Sequence, residues 1–265
     1  MGREGRESLS LESAEGVSEP EPAYLELQAE VGISKHMGGL KATEELVELC
    51  NIGKGKYVLD VGCGTGKTSC FLAKKYGCRV VGVDTSEKML DWSKERAKEE
   101  GVDSRVEFRV ADAQNLPFED NSFDAVICES VNAFIKNKQR ALSEYVRVTK
   151  PGGYVGLNES TWIKEPPTEL VEYFSSTVEE VEILTPDGWK ELMENAGLRD
   201  IVVTTYKVNF LSDIINRIKL VGFRRILRAW SLVITNPACR SWIKKMSTPK
   251  NTYEYYGYGI YVGRK

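Results

Sequence analysis

A glycine-rich turn directly after an apolar run is the feature that most constrains this chain. Residues 58–66 read Val-Leu-Asp-Val-Gly-Cys-Gly-Thr-Gly, and a helical pattern follows over residues 67–76. The apolar run predicts a buried strand, and the glycines predict a tight turn, because glycine accepts positive φ and lets backbone approach a ligand closely. Asp60 adds a carboxylate beside that approach. The pattern therefore predicts a strand–turn–helix unit that binds a ligand at its turn.

The spacing of the glycines separates this turn from two other nucleotide-binding turns. A dinucleotide-binding G-x-G-x-x-G turn needs its third glycine at the position that Lys67 occupies. A phosphate-binding G-x-x-x-x-G-K-S/T loop needs its first glycine at the position of Val61. The pattern present is G-x-G-x-G, formed by Gly62, Gly64 and Gly66. Neither of the two common phosphate-binding turns fits it.

The run from Asp60 to Gly66 resembles the first motif of class I S-adenosylmethionine-dependent methyltransferases, in which this turn takes the amino-acid end of the cofactor. Further segments agree with that family in order and spacing over residues 36–207. They include an apolar fourth strand at residues 125–129 and the turn Thr-Lys-Pro-Gly-Gly at residues 149–153. The chain is most similar to the small-molecule branch, which contains quinone, tocopherol and sterol C-methyltransferases and small-amine N-methyltransferases.

The resemblance implies S-adenosylmethionine as the cofactor and S-adenosylhomocysteine as its product. Asp84 ends a second apolar strand at residues 79–84 and takes the position of the acid that binds the ribose. Asp112 follows a third strand at residues 106–110, and in this family that acid or the adjacent backbone meets the adenine amino group. The predicted cofactor-binding residues are Asp60, Gly62, Cys63, Gly64, Gly66, Asp84, Thr85, Met89, Asp112, Ala113 and Glu129.

Strands and helices alternate along the chain as far as residue 207, which predicts a parallel sheet with right-handed crossovers. We predict an α/β fold with a Rossmann-like, seven-stranded, mostly parallel sheet and helices on both faces. The last strand is predicted to be antiparallel, with a helical insertion before it. Ligands in such sheets bind beyond the carboxyl ends of the strands. Four carboxylates that core packing does not explain fall at such ends: Asp60, Asp84, Asp112 and Glu129.

The other segments differ from this core in composition. Residues 1–22 are rich in Glu, Ser, Gly and Pro without periodicity, which predicts a disordered acidic N-terminus. Residues 23–265 form the predicted single methyltransferase domain, in which residues 23–50 cover the site. Residues 209–250 carry two apolar stripes and an excess of Lys and Arg. We predict a helical lid there, and peripheral contact with a membrane surface is the alternative.

Composition and local patterns argue against several other classes of protein. The six cysteines have no metal-binding or redox spacing, so we expect buried free thiols, no metal site and a cytoplasmic location. No apolar run is long enough for a membrane span, and the charged start lacks an apolar signal region. Nucleic-acid amino-methylating enzymes carry Asp/Asn-Pro-Pro-Tyr/Phe where this chain has Cys128–Val131, and the core has no basic stripe. We therefore expect no nucleic-acid partner.

The expected chemistry needs mainly alignment, because a sulfonium methyl group is already activated for in-line attack. His36 is the only histidine and precedes Met-Gly-Gly in the segment expected to fold over the cofactor. It is a candidate general base, since histidine exchanges protons near neutral pH, although fixing the loop or contacting the cofactor is the simpler interpretation. Glu129 is the second catalytic candidate, and its alternative role is to cap the following turn. Asn132 and Phe134 are predicted to line the acceptor pocket.

We therefore predict a methyltransferase that moves a methyl group to a small-molecule acceptor, with a lipophilic, quinone- or lipid-like compound as the first choice. A small-amine N-methyltransferase is the alternative. Two other functions stay open at this point, namely a non-catalytic S-adenosylmethionine-binding module and a dehydrogenase. Lys67, at the position of the third glycine, counts against the dehydrogenase.

Overall fold

The computed structural model describes residues 36–177, 181–208 and 251–265. The predicted disordered N-terminus at residues 1–22 lies outside the described residues. So do the first part of the predicted cover, before residue 36, and the predicted insertion at residues 209–250, with its alternative roles as a lid or a membrane contact.

One sheet of seven strands forms the centre of the fold, in the order β3-β2-β1-β4-β5-β7-β6. Neighbouring strands among β1 to β5 pair in parallel, whereas β7 is antiparallel to both β5 and β6. The predicted seven-stranded, mostly parallel sheet with an antiparallel last strand is confirmed. The strands are β1 (Tyr57–Val61), β2 (Arg79–Asp84), β3 (Val106–Val110), β4 (Phe123–Glu129), β5 (Thr149–Trp162), β6 (Arg199–Lys207) and β7 (Tyr256–Arg264).

Helices connect these strands, and several begin at a polar cap. Ser86 accepts a hydrogen bond from the Met89 amide, and Thr185 accepts one from the Gly188 amide, so each satisfies a helix donor that has no partner within the helix. Within the described ranges the helices are α1 (Gly39–Leu49), α2 (Lys67–Tyr76), α3 (Glu87–Glu99), α4 (Lys138–Val148), α5 (Thr168–Thr177), α6 (Pro186–Asn195) and α7 (Thr252–Tyr255), with a 3-10 turn at Asn132–Phe134.

Both faces of the sheet are buried by helices. Successive side chains of a strand point to opposite faces, and Val58 accordingly packs with α1 and α2 while Leu59 packs with α4 and α6. Central parallel strands are apolar on both sides for this reason. The cysteines among the described residues are free and buried, as expected. In the described ranges, no helix combines the length and apolar character that crossing a membrane requires.

The strand register brings the predicted site residues to one edge of the sheet. Asp60 on β1 lies beside Gly82 on β2 and Ile127 on β4. The three strands run in the same direction, so Asp60, Asp84 and Glu129 lie at or near their carboxyl ends. The edge beyond these ends is where the topology predicts a ligand.

Candidate active site

A cavity of about 590 Å³ opens beyond the carboxyl ends of β1, β2 and β4. Every predicted cofactor-binding residue except Gly66 lines it, and so does His36. The structure therefore brings together, around one space, residues that are spread over more than ninety positions of the sequence. Lys67, Thr68, Val131 and Lys136, which the motif comparison did not select, also line the cavity.

Gly66 differs from the other predicted residues because it lies behind the turn. It precedes α2 with φ of 69°, a left-handed conformation that favours glycine. A Cβ at this position would lie 2.8 Å from Ser93 Cβ and 2.9 Å from Phe108 Cζ. The absence of a side chain here lets the start of α2 pack against α3 and β3, which explains the glycine without a ligand.

Asp84 fastens the glycine turn to the end of β2. Its Oδ2 accepts a hydrogen bond from the Gly64 amide at 2.9 Å, and its Oδ1 accepts one from the Ser86 amide at 2.9 Å. Burial raises the pKa of Asp84, and the amide hydrogen bonds oppose that rise. The Thr85 amide is a third donor, and a carboxylate with about four acceptor positions can still accept a hydrogen bond from a ligand hydroxyl.

Asp60 is a more deeply buried carboxyl at the floor of the cavity. Its Oδ2 accepts a hydrogen bond from Ser69 Oγ at 2.6 Å. Burial raises the pKa of Asp60 to about 7, the Ser69 hydrogen bond opposes the rise, and the negative charges of Glu129 and Asp84 add to it. The carboxyl therefore exchanges a proton near neutral pH, and a cationic ligand in the cavity would favour its ionised form.

Asp112 lies at the exposed rim, after β3. Its Oδ1 accepts hydrogen bonds from the amide of Gln114 at 2.8 Å and from the Gln114 side chain at 3.2 Å. These contacts fix a turn that places Ala113 and Gln114 in the cavity wall. The predicted adenine end of the site is thus built mainly from a short turn held by Asp112.

Glu129 is the centre of a buried polar cluster at the opposite side of the cavity. The Thr43 hydroxyl lies 3.0 Å from its Oε1, and the Thr68 hydroxyl lies 2.8 Å from its Oε2. Asn158 Nδ2 donates to Oε1 at 3.1 Å. These three donors come from α1, α2 and β5, so the carboxylate joins three elements. All three donors are neutral groups.

His36 is the basic group that the fold brings to Glu129. Its Nδ1 lies 3.9 Å from Glu129 Oε2, and its Nε2 lies 3.2 Å from Thr43 Oγ1. Thr43 has one hydroxyl hydrogen, which it directs to Glu129, so its oxygen accepts a hydrogen from His36 Nε2. In neutral His36 the hydrogen-bond network then assigns the free lone pair to Nδ1, on the side of the carboxylate.

The backbone next to His36 is docked onto the sheet. The Met37 amide donates to Ser130 Oγ at 2.9 Å, and the Met37 carbonyl accepts from Asn158 Nδ2 at 2.8 Å. Both polar groups of this residue are therefore paired across more than ninety positions of sequence. The contacts hold His36 in the cavity wall.

Asn132 does not line the cavity, contrary to the sequence-based expectation, whereas Phe134 does. The Asn132 side chain is fully buried and turned inward, where it donates to Glu159 at 2.9 Å and accepts from the Tyr145 hydroxyl at 3.0 Å. Sequence analysis missed Glu159 as well. Glu159 could have been found in the sequence as a charged residue within an otherwise buried strand. Glutamate is rarely fully buried without a partner, so such a position indicates a specific polar contact.

Comparison with protein families and known proteins identifies a methyltransferase domain in this chain. A family model described as "Methyltransferase domain" matches residues 59–157. An uncharacterised protein of Haemophilus influenzae is 33% identical over 178 residues, which cover 66% of this chain and 71% of that protein. Methyltransferase GfsG of Streptomyces halstedii is 33% identical over 184 residues, covering 68% of this chain and 63% of that protein. Phosphoethanolamine N-methyltransferase 1 of Arabidopsis thaliana is 33% identical over 167 residues, covering 62% of this chain but 33% of the relative.

Solved structures reproduce the fold. The [4+2]-cyclase SpnF matches with a TM-score of 0.74 and 22% identity, covering 92% of this chain and 96% of that one. A Haemonchus contortus phosphoethanolamine N-methyltransferase 2, in complex with phosphomonomethylethanolamine and S-adenosylhomocysteine, matches with a TM-score of 0.72 and 22% identity. That match covers 91% of this chain and 57% of the enzyme. At these identities the structures support the fold.

The cavity suits S-adenosylmethionine, which carries a ribose diol and a positive sulfonium. Asp84 accepts hydrogen bonds from the backbone amides of Gly64, Thr85 and Ser86, and a carboxylate has about four acceptor positions, so at least one remains for a ligand hydroxyl. Asp60 and Glu129 line the same space and receive hydrogen bonds from neutral groups, so a cation there offsets the cost of burying negative charge. The predicted cofactor thus agrees with the residues present. Taken with the match to the methyltransferase domain and the relatives that carry it, this agreement identifies the chain as a member of the class I S-adenosylmethionine-dependent methyltransferase family.

Proposed function

We propose that this chain transfers the methyl group of S-adenosylmethionine to a small-molecule acceptor that binds beside Glu129 and His36. The observation that carries the proposal is the buried Glu129 carboxylate, which lines the cavity and is held there by neutral donors from three elements. A carboxylate fixed in this way presents negative charge to a bound ligand without rearrangement.

The cofactor side of the cavity has its own set of proposed roles. S-adenosylmethionine supplies a methyl group that is already activated on a cationic sulfonium, so the protein needs chiefly to align it and exclude water. Asp84 is proposed to accept hydrogen bonds from the ribose hydroxyls, and the turn at Asp112 and Ala113 to meet the adenine. The glycine turn and Asp60 then face the amino-acid end. Gly66 has no part in this set, because it lies behind the turn.

Glu129 and His36 are proposed to prepare the acceptor for attack. An acceptor nitrogen or oxygen must present a free lone pair, so its proton has to leave before or during methyl transfer. His36 Nδ1 is the proposed proton acceptor, since Nε2 is engaged by Thr43. Glu129, with Oε2 3.9 Å from Nδ1, stabilises the positive charge that His36 then carries.

The acceptor that this arrangement favours is a small amine. An ammonium group is attracted to the buried carboxylate of Glu129, and the methylated product is again a cation. The relatives named phosphoethanolamine N-methyltransferases support the same class, although this chain spans about a third of the length of those plant proteins. A lipophilic acceptor is the second candidate, because Val131, Phe134 and Ile135 add apolar surface to the same wall.

The test is an assay of the purified chain with S-adenosylmethionine and two acceptor panels, one of small amines and amino alcohol phosphates and one of quinones and phenols. We expect an amine to gain a methyl group, with S-adenosylhomocysteine formed in equal amount. Glu129→Gln should abolish most of this turnover, whereas Glu194→Gln on the exposed side of α6 should not.

Other outcomes distinguish the alternatives. Methylation confined to the quinone panel would support the lipophilic acceptor. Binding of S-adenosylhomocysteine without methylation in either panel would support a non-catalytic module. The [4+2]-cyclase SpnF shares the fold, so the fold by itself does not establish methyl transfer.

A further inference from the structure

The segment after β4 forms the side of the cavity that faces Glu129 and His36. We call residues 130–136 the post-β4 loop. Ser130, Val131, Phe134, Ile135 and Lys136 of this loop line the cavity. The loop therefore provides much of the surface that an acceptor would touch, and its position has to be fixed by contacts from neighbouring elements.

Glu159 on β5 holds the first part of this loop. Its Oε1 accepts hydrogen bonds from the Val131 amide at 3.1 Å, the Asn132 amide at 2.8 Å and Asn132 Nδ2 at 2.9 Å. Two consecutive backbone amides and one side chain of the loop thus converge on a single oxygen, which the Cys128 thiol of β4 also approaches at 4.0 Å. Glu159 has no exposed surface, so water does not compete for these donors.

Separate contacts fix the two ends of the loop. The Ser130 amide donates to the Asn158 carbonyl at 2.6 Å, which continues the pairing of β4 with β5. At the other end, Lys138 Nζ donates to the Ile135 carbonyl at 3.0 Å and lies 2.9 Å from Glu182 Oε2. Glu159 acts between these ends, on the residues that turn the chain toward the cavity.

The position of the loop is also coupled to the glycine turn. A Cβ at Gly62 would lie 2.3 Å from Val131 Cγ2, so the Val131 side chain rests directly on the turn. The turn itself is fastened elsewhere, because the Gly64 amide donates to Asp84 and the amides of Gly62 and Cys63 donate to the Val83 carbonyl. Loss of the Glu159 contacts would therefore move the loop more than the turn.

A simple structural role does not account well for a carboxyl group at position 159. Its Oε2 is buried and has no hydrogen-bond partner within the described part of the chain. Burial raises the pKa of Glu159 to about 7, which reflects the cost of a charge in this place. An oxygen left unpaired destabilises the fold. Oε1 accepts all three hydrogen bonds from the loop, and these contacts explain why a carboxyl group is present here.

We propose that Glu159 is a positioning residue for the methyl acceptor, because it holds the amides of Val131 and Asn132 and so sets the acceptor-facing wall formed by the post-β4 loop. This inference rests on the proposed function for its effect on catalysis. The hold on the loop is a property of the protein alone and can be measured without any acceptor.

The test compares Glu159→Ala with Thr161→Val. Thr161 is a matched control, since it lies on the same face of β5 and is fully buried. Its hydroxyl contacts the Tyr261 hydroxyl and the Glu159 backbone carbonyl, so Thr161→Val removes both contacts but keeps the Glu159 carboxyl group that holds the loop. Hydrogen–deuterium exchange of residues 130–136 is the first readout. We expect exchange at Val131 and Asn132 to become at least about tenfold faster in Glu159→Ala and to remain unchanged in Thr161→Val. Equal exchange in the two variants would overturn the proposal.

Steady-state kinetics give the second readout. With the acceptor found for the wild type, kcat/KM should fall roughly 10- to 100-fold in Glu159→Ala, since a small displacement of contacting groups is costly. Affinity for S-adenosylhomocysteine should stay within about twofold, because Asp84 and the glycine turn have independent contacts. A loss confined to cofactor affinity would contradict the assignment to the acceptor side.

Two further variants keep the proposal testable if Glu159→Ala does not fold. Glu159→Gln keeps an oxygen that can accept the three hydrogen bonds and should restore slow exchange in the loop. Glu159→Asp withdraws the carboxylate and should give intermediate exchange and turnover. If the loop exchanges as fast in Glu159→Gln as in Glu159→Asp, the proposed role of Oε1 as the acceptor that holds the loop is refuted. If loop exchange is faster in Glu159→Ala but the wild type methylates no acceptor, the hold of Glu159 on the loop is supported and only the proposed function is contradicted.

Discussion

Thr68 Oγ1 lies 2.8 Å from Glu129 Oε2 and donates a hydrogen bond that ties the first turn of α2 to the end of β4. The next residue, Ser69, donates instead to Asp60 at 2.6 Å. Two adjacent hydroxyl groups therefore serve two different carboxyl groups of the cavity. This division allows the acceptor and cofactor sides of the site to be separated by single substitutions.

Thr68→Val should impair turnover without impairing binding of S-adenosylhomocysteine, whose sulfur is uncharged. It keeps the shape of the side chain but removes a donor to a charged group, which is worth about 1.5–3 kcal/mol, so kcat/KM for the acceptor should fall by roughly tenfold or more. Ser69→Ala is the matched variant and should weaken S-adenosylhomocysteine binding instead. Calorimetry combined with initial rates measures both effects, and an identical pattern in the two variants would contradict the division.

Gly62→Ala should destabilise the fold more than Gly101→Ala. Both glycines have positive φ, of 69° and 66°, so an alanine at either costs about 1–2 kcal/mol. At Gly62 the new methyl group also collides with Val131, whereas nothing lies within 4 Å of the corresponding position at Gly101. Urea denaturation should therefore show an additional loss of about 1–3 kcal/mol in Gly62→Ala. Equal losses of unfolding free energy in the two variants would show that the post-β4 loop, which carries Val131, moves aside at little energetic cost.

The free energy of unfolding should decrease as pH rises toward and through neutrality. Burial raises the pKa of Glu159 from 4.5 to about 7 and that of Asp60 from 3.8 to about 7. The folded state thus retains protons that the unfolded chain has already lost, and stability falls by about 1.4 kcal/mol for each pKa unit of the shift. Glu159→Gln removes one of these groups, so its unfolding free energy should depend less on pH between about pH 5 and pH 8. A wild type whose stability rises over this range would oppose the assignment.

His36→Gln should slow methylation of an amine at neutral pH and recover at high pH. Glutamine can still contact Thr43 but cannot take a proton, so the variant depends on amine molecules that have lost their proton in solution. The ratio of wild-type to variant kcat should therefore shrink as pH is raised. A ratio that stays constant across the pH range would show that His36 fixes the loop and does not act as a base.

The cofactor side of the site was predictable because the ends of the strands can be predicted from the sequence. Asp60 and Asp84 terminate or nearly terminate apolar runs, and the parallel topology that the alternating pattern implies brings such ends to one edge. The sequence did not predict that Gly64 and Gly66 have different locations relative to the cavity. Both belong to the same motif, yet Gly64 lines the cavity and Gly66 accommodates Ser93 and Phe108, which lie far away in sequence.

The acceptor side was less predictable because it depends on side-chain contacts between distant elements. Sequence analysis selected Glu129 from its place at the end of β4, but nothing local indicates that Thr43, Thr68 and Asn158 converge on it. Asn132 was assigned to the pocket from its position after that strand. The structure turns it inward, where Glu159 and Tyr145 satisfy its amide.

The most direct test of the account is calorimetric titration of S-adenosylhomocysteine into the purified wild-type chain, Asp84→Asn and Asp124→Asn. Asp124 is the matched control, because it lies at the opposite end of β4 and bonds to Tyr57 and Lys150. We predict binding to the wild type and to Asp124→Asn, with affinity at least about tenfold weaker in Asp84→Asn, as expected for the loss of hydrogen bonds to a charged group. Absence of binding to the wild type, or equal affinity in all three proteins, would contradict the placement of the cofactor in this cavity.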